Sequence, residues 1–291
     1  MSERRPRSFY VLAAFFGLFL LFLYGPMISI LVLSFQGPQG GLVFPMNGVS
    51  THWFQQLWEG GGQVEIGSAL RRSFALALVV MVLTVTISVL AGLAFRRGFR
   101  GATVLLYVAI ASLIVPSIVV SLGIALEFRL IDDAIKAFGA THDIAWIQRN
   151  FVSALGPFTS GLGAHLTWTL PFGLLIMFAV FNRFDPAYEE AARDLGATPW
   201  QTFRHVTLPM IAPFLIGVAV FGFTLSWDEL ARSSQVMGAD NTLPMQLAAK
   251  TTTVTDPEIY ALGTATTGGS ILLVLVAFTL VTLLQRRRQS G

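Results

Sequence analysis

Six apolar stretches dominate this chain: roughly Tyr10–Leu33, Ser73–Phe95, Ala102–Leu126, Thr159–Phe181, Met210–Trp227 and Ile259–Leu284, none holding an Asp, Glu, Lys or Arg. A helix needs about 20 apolar residues to cross the hydrocarbon core of a bilayer, so each stretch suits one crossing. The expected fold class is an all-α polytopic membrane protein of six transmembrane helices, in a single transmembrane domain over residues 1–291. Charge agrees, since only 12% of the residues are Asp, Glu, Lys or Arg, about half the share usual in a soluble domain. Arg4, Arg5 and Arg7 precede the first stretch as they would a signal peptide, but its apolar run is longer than a signal core and ends in no small-x-small site, so a retained anchor is expected.

The basic residues orient the spans, because cytoplasmic loops carry the excess of Lys and Arg. One side holds Arg4, Arg5, Arg7, Arg96, Arg97, Arg100, Arg183, Arg193, Arg204, Arg286, Arg287 and Arg288; the other holds Arg71, Arg72, Arg129, Lys136, Arg149, Arg232 and Lys250. Twelve against seven places both termini in the cytoplasm. Arg71 and Arg72 run against the trend and read as anchors snorkelling to the interface. The scatter of these clusters fits membrane topology and lipid, not a phosphate-tracking patch, so no nucleic-acid partner is expected. With no cysteine in the chain, thiol catalysis, disulfides and Cys-ligated metals are excluded. The outer segment Gln36–Arg72 is Gly-rich and carries Trp53, Phe54 and Trp58, the pattern of an interfacial helix or aromatic belt. The outer segment Glu127–Phe158 is long enough for a short surface helix.

Residues Asp185–Pro209 are the most informative. Asp185 is a good N-cap, Pro186 suits the first helical position, and Glu189 and Glu190 set negative charge near the positive end of the helix dipole. Gly196 supplies a left-handed stop after Leu195. Thr198 then starts a second helix, with Pro199 at its first position and Gln201 completing a capping box. Pro209 is expected to end that helix and to mark the turn into the next span. Two short helices joined at a glycine bend form a knob that can seat in a soluble partner; an amphipathic pair lying in the headgroup layer has the same pattern.

Glu190-Ala191-Ala192, Gly196 and Val206-x-Leu208-Pro209 resemble the signature of ABC-importer permeases, E-A-A-x3-G-x9-I-x-L-P, with Val206 in place of the usual Ile. The longer run, with Phe223–Glu229 and Asn241–Pro244, is most similar to the polyamine (spermidine/putrescine) branch. The resemblance runs from the second span to the sixth and is weakest over Glu127–Phe158. It implies a permease subunit of the bacterial inner membrane forming half of a translocation pathway. The implied partners are a second, homologous permease, two ATP-binding subunits and a periplasmic substrate-binding protein. It also implies that Glu190, Ala191, Ala192, Gly196, Leu208 and Pro209 couple the chain to the ATPase. The two lysines, Lys136 and Lys250, lie in no G-x-x-x-x-G-K-[ST] loop, so no enzymatic activity or bound cofactor is expected and ATP hydrolysis falls to the partner.

Along the path, Asp228 and Glu229 directly follow the fifth apolar run, Trp227 precedes them, and Glu127 follows the third run. Carboxylates and an indole face suit an organic cation; helix-end carboxylates in periplasmic water and an interfacial Trp account for the same positions. His165 reads as a satisfied polar group between helices, with no partner at helical spacing for a metal pair. Pro116, Pro171 and Pro213 are expected to kink their spans, and Gly263–Gly269 suits close helix approach. An opine or amino-acid derivative is an alternative solute. A secondary transporter would set ionisable groups at the bilayer midplane, and an intramembrane enzyme would need paired catalytic groups; the spans carry neither.

Overall fold

The computed structural model describes residues 6–41, 44–59, 65–253 and 257–289. In chain order the helices are α1 (Arg7–Leu33), α2 (His52–Glu59), α3 (Glu65–Arg96), α4 (Ala102–Ala111), α5 (Ser117–Thr141) and α6 (Ala145–Asn150). There follow α7 (Leu162–Asn182), α8 (Ala187–Asp194), α9 (Pro199–Thr202), α10 (Leu208–Trp227), α11 (Ser233–Val236), α12 (Leu243–Thr253) and α13 (Glu258–Gln289). A π-helical turn, Pro157–Gly161, leads into α7, and another, Phe203–Thr207, joins α9 to α10. Among the described residues there is no strand, only an isolated bridge between Gln36 and Val49. Arg4 and Arg5 lie outside the described residues.

Among the described residues five helical segments are long and apolar enough to cross a membrane: Arg7–Leu33, Ile66–Arg96, Pro157–Asn182, Pro199–Trp227 and Glu258–Val276. The stretch expected as a third span, Ala102–Leu126, is not one helix. It breaks between α4 and α5 at Pro116, which has extended backbone (φ −53°, ψ 130°). Proline lacks the N–H the ladder needs and disfavours helix at the residue before it. The end of α4 is fastened instead to α7, where Ser112 Oγ donates to the Thr167 carbonyl at 2.8 Å. By contrast Pro171 and Pro213 sit inside continuous α7 and α10.

The chain divides into two units, Met1–Val64 with Leu247–Leu272 and Glu65–Gln246 with Leu273–Gly291. In the first, Gly263 of α13 faces Ile30 of α1, and an apolar groove of about 330 Å³ runs between Tyr24, Met27 and Ile30 on α1 and Gly263, Thr267 and Gly268 on α13. Buried Gln36 organises the turn after α1, its amide donating to the Gly41 carbonyl (2.8 Å) and its oxygen accepting from Asn47 N–H (2.8 Å). The expected aromatic helix is α2, with Trp58 fully out and Phe54 packed on Phe35.

The second unit is built on α3, α7 and α10, each packed against the other two. One apolar cluster gathers Val89, Met177, Phe181, Ile211 and Val218; another gathers Leu76, Val80, Ala125, Ala164, Val236 and Met237. Small residues set the crossings. A Cβ on Gly173 of α7 would strike Ser88 of α3, and one on Gly222 of α10 would meet the Met81 backbone at 3.2 Å. Between the crossings the buried Thr84 and Thr169 hydroxyls pair at 2.8 Å, each satisfying a group that lipid could not.

Three expectations about segment ends are corrected. Glu127 does not close a span; α5 continues past it to Thr141, with charged residues along its second half and buried Asp132 accepting from Ser153 Oγ and Ala154 N–H, both at 2.6 Å. Those bonds fold the segment after α6 back along α5. Arg72 is not a free snorkelling anchor: it donates to the Asn241 carbonyl (2.8 Å), contacts the Asn241 side chain and lies 3.6 Å from Asp240. Finally, the helix begun at Pro199 does not stop at Pro209. It runs through to Trp227, because the π-helical turn over Phe203–Thr207 adds a residue just before the proline. The extra residue displaces the carbonyl that the Pro209 ring would otherwise meet, and Leu208 N–H bonds back to the Phe203 carbonyl.

Candidate functional site

The segment after α7 folds as two helical pieces about a glycine bend. Asp185 accepts from Ala187 N–H at 3.0 Å, and the regular helix begins one residue later than the sequence suggested. At the other end of α8, Ala197 N–H bonds to the Ala192 carbonyl (3.0 Å) and Gly196 N–H to the Arg193 carbonyl (2.9 Å), the paired pattern of a Schellman stop. Gly196 has φ +85°. The capping box is present: Gln201 N–H donates to Thr198 Oγ1 (3.4 Å) and Thr198 N–H to Gln201 Oε1 (2.8 Å).

These caps turn an apolar edge outward. Leu195 at the bend is 90% exposed, and Tyr188 and Trp200 are exposed too, with Trp200 stacked on Phe203 at 5.7 Å. Of the signature residues, Glu190, Ala191, Gly196 and Pro209 are exposed, and Ala192 and Leu208 half-buried.

The buried anchor of this knob is a residue outside the signature. Glu189 takes both Nη1 (3.0 Å) and Nη2 of Arg96 in a forked ion pair and accepts from Thr207 Oγ1 at 2.6 Å, while Arg193 reaches it at 3.5 Å from solvent. The Arg96 guanidinium lies over the rings of Phe184 (5.1 Å) and Phe181 (5.8 Å). Hydrogen bonding from Arg96 holds the Glu189 carboxyl below its ordinary value of 4.5; burial opposes this, and the Thr207 hydroxyl and the charges of Arg96 and Arg193 reinforce it. In the sequence Glu189 is a helix-dipole charge with Arg193 one turn on; Arg96 and Thr207 lie in other elements, and nothing local points to them.

At the other end of α10 a second polar cluster closes the bundle. His165 Nδ1 meets Ser226 Oγ at 2.8 Å and Nε2 meets Ser233 Oγ at 3.0 Å, so this histidine is a satisfied group between helices. Glu229 is buried and engaged. It accepts from Arg232 N–H (2.9 Å) and Arg232 Nη1 (3.2 Å), while the buried Arg232 guanidinium covers the Trp168 ring at 4.7 Å. Asp228 next to it is exposed. Trp227 is half-buried, stacked on Phe223 at 5.8 Å and edge-on to Phe74 at 6.4 Å. Trp227, Asp228 and Glu229 thus share one end of the bundle, with only Asp228 open; Glu127 lies exposed on α5, and no described contact joins it to them.

The described residues thus form a helical bundle with a core of three apolar helices, a broken one beside them and an exposed bent-helix knob. The chain belongs to the family of binding-protein-dependent transport system inner membrane components, which matches residues 84–290. It is 30% identical over 269 residues to the putrescine transport system permease protein PotI of Escherichia coli K12, covering 92% of this chain and 89% of that one. It is 28% identical over 272 residues to the spermidine/putrescine transport system permease protein PotC of Haemophilus influenzae, covering 92% and 95%. Its fold is similar to a chain in the crystal structure of a bacterial ABC transporter involved in import of the acidic polysaccharide alginate, with TM-score 0.65, 16% identity and coverage of 96% and 94%. A chain from the alginate transporter in complex with its pentasaccharide-bound periplasmic protein aligns with TM-score 0.59 at 15% identity, covering 95% of this chain and 92% of that one. The protein is therefore a membrane-embedded transport subunit of an ABC importer and not an enzyme.

Proposed function

We propose that this chain forms half of the translocation pathway of an importer for polyamines or a related small organic cation, with both termini in the cytoplasm. In this reading it pairs with a second permease above two ATPase subunits, and a periplasmic binding protein delivers the solute. The observation that carries the coupling role is the α8–Gly196–α9 knob, whose exposed Leu195, Tyr188 and Trp200 suit an apolar groove on the ATPase. Glu190, Ala191, Ala192, Gly196, Leu208 and Pro209 belong to that seat. The solute class rests on the named substrates of the relatives and on the acidic, aromatic end of α10.

Among the path residues the geometry favours Asp228, since Glu229 is already neutralised by Arg232 and Glu127 stands apart on α5. A carboxylate near an entrance can replace part of an ammonium's lost hydration and still release it. The test is reconstitution with the ATPase, second permease and binding protein encoded alongside, followed by uptake of labelled putrescine and spermidine. Putrescine-stimulated hydrolysis with uptake is the expected result; stimulation only by an opine or amino-acid derivative would replace the solute assignment. In the same system Asp228→Asn should lower apparent affinity about tenfold, the size of one charge-assisted contact, with assembly and basal hydrolysis intact. Unchanged uptake kinetics would remove Asp228 from the path.

A further inference from the structure

We propose that Glu189, the residue before the signature glutamate, is the positioning residue through which the knob moves the transmembrane core, with Arg96 as its obligate partner. The proposal rests on the coupling reading above. The carboxylate binds Arg96 and Thr207 directly and reaches the α7 end through the Arg96 guanidinium. Arg96 is the last residue of α3; Thr207 stands in the π-helical turn that opens α10; and of the rings beneath the guanidinium Phe181 lies in the last turn of α7 and Phe184 just beyond it. A displacement of α8 that left this pair intact would therefore be passed to α3, α7 and α10 together.

The neighbouring signature glutamate is placed differently. Glu190 is exposed, on the face a partner would meet, whereas Glu189 points inward and is 7% exposed. Adjacent helical positions look about 100° apart, so one turn of α8 offers one carboxylate to the partner and the other to the spans. The fork fixes direction as well as distance, since two parallel N–H bonds resist rotation where a single bond does not. Beside the pair, a cleft of about 430 Å³ lies between Leu93 of α3, Arg97 just past its end, and Trp200 of α9. The α9 half of the knob is continuous with α10, whereas α8 is fixed to α3 by the buried Glu189–Arg96 pair.

The experiment uses the full transporter in proteoliposomes with Glu189→Gln and Arg96→Gln, reading solute taken up per ATP hydrolysed. Seating is read separately by a disulfide between Leu195→Cys and a cysteine placed in the ATPase groove, which is clean because this chain has no cysteine of its own. The expected result is normal cross-linking and near-normal hydrolysis, with uptake per ATP lowered about tenfold in both variants, as for loss of one charge-assisted contact. Uptake per ATP unchanged with normal cross-linking overturns the proposal and leaves the coupling reading standing. Cross-linking lost only in the variants also overturns it, because Glu189 would then merely shape the knob. No cross-link in the Leu195→Cys transporter with Glu189 and Arg96 intact would overturn the coupling reading itself, and the proposal with it.

Discussion

A Cβ at Gly196 would meet nothing within 4 Å, yet its φ of +85° is costly for any residue with a Cβ. Gly196→Val should cost about 1–2 kcal/mol in the local turn, whereas Gly196→Asn should cost less because Asn tolerates the left-handed region. Co-purification of the ATPase should fall with Val and largely survive with Asn; equal retention would show the bend to be dispensable. The Glu189 pair carries a pH signature of defined sign. Its folded value lies below the ordinary 4.5, so its stabilisation is fully present above that value and is lost as pH falls through the folded value. Retention of the complex on acidification should show a limb below 4.5 that Glu189→Gln lacks. The caps were legible in the sequence because Asp185, Gly196, Thr198 and Gln201 act on amides two or three residues away. The Glu189–Arg96 pair was not, since its members are 93 positions apart and only the packed bundle brings them together.

Hydropathy located the helices but not their continuity. An apolar window looks the same whether its backbone is whole, as across Pro171 and Pro213, or broken, as at Pro116. What decides is whether each proline's missing bond and displaced carbonyl find an alternative: inside α7 and α10 packing holds the helix together, and at Pro209 a π-helical turn makes room. The same limit applied to Glu127, where charge was read as the end of a span although charge ends a lipid-facing surface and not a helix. Packing at the crossings offers a direct test. Gly173→Val on α7 should clash with Ser88 and destabilise the core by about 1–3 kcal/mol, the usual range for overpacking. Gly163→Val, one face away and meeting nothing within 4 Å, should not. Thermal unfolding in detergent compares them, and equal midpoints would mean that α3 and α7 separate easily.

For the whole molecule, the basic residues predict an orientation that single cysteines can read. Ala140→Cys near the end of α5 should react with an impermeant thiol reagent added from outside, and Asp194→Cys at the end of α8 only after the membrane is opened; both positions are exposed. Reaction of Asp194→Cys from outside would invert the topology and place the knob away from any ATPase. The orientation has a mechanical consequence. From Pro199 to Trp227 the backbone is one helix of 29 residues, about 43 Å long at 1.5 Å per residue. It bears Trp200 at one tip and, near the other, the Ser226 held by His165. A stiff rod has no memory of which end was pushed. Whatever bias the ATPase imposes on the far cluster, an arriving binding protein imposes equally on the ATPase, since linkage between two sites is reciprocal. Under the proposed coupling, the tightening of ATP binding by the loaded binding protein and the tightening of binding-protein docking by ATP are then one coupling free energy seen from opposite sides of the membrane, and a substitution along α10 that weakens one must weaken the other by the same factor.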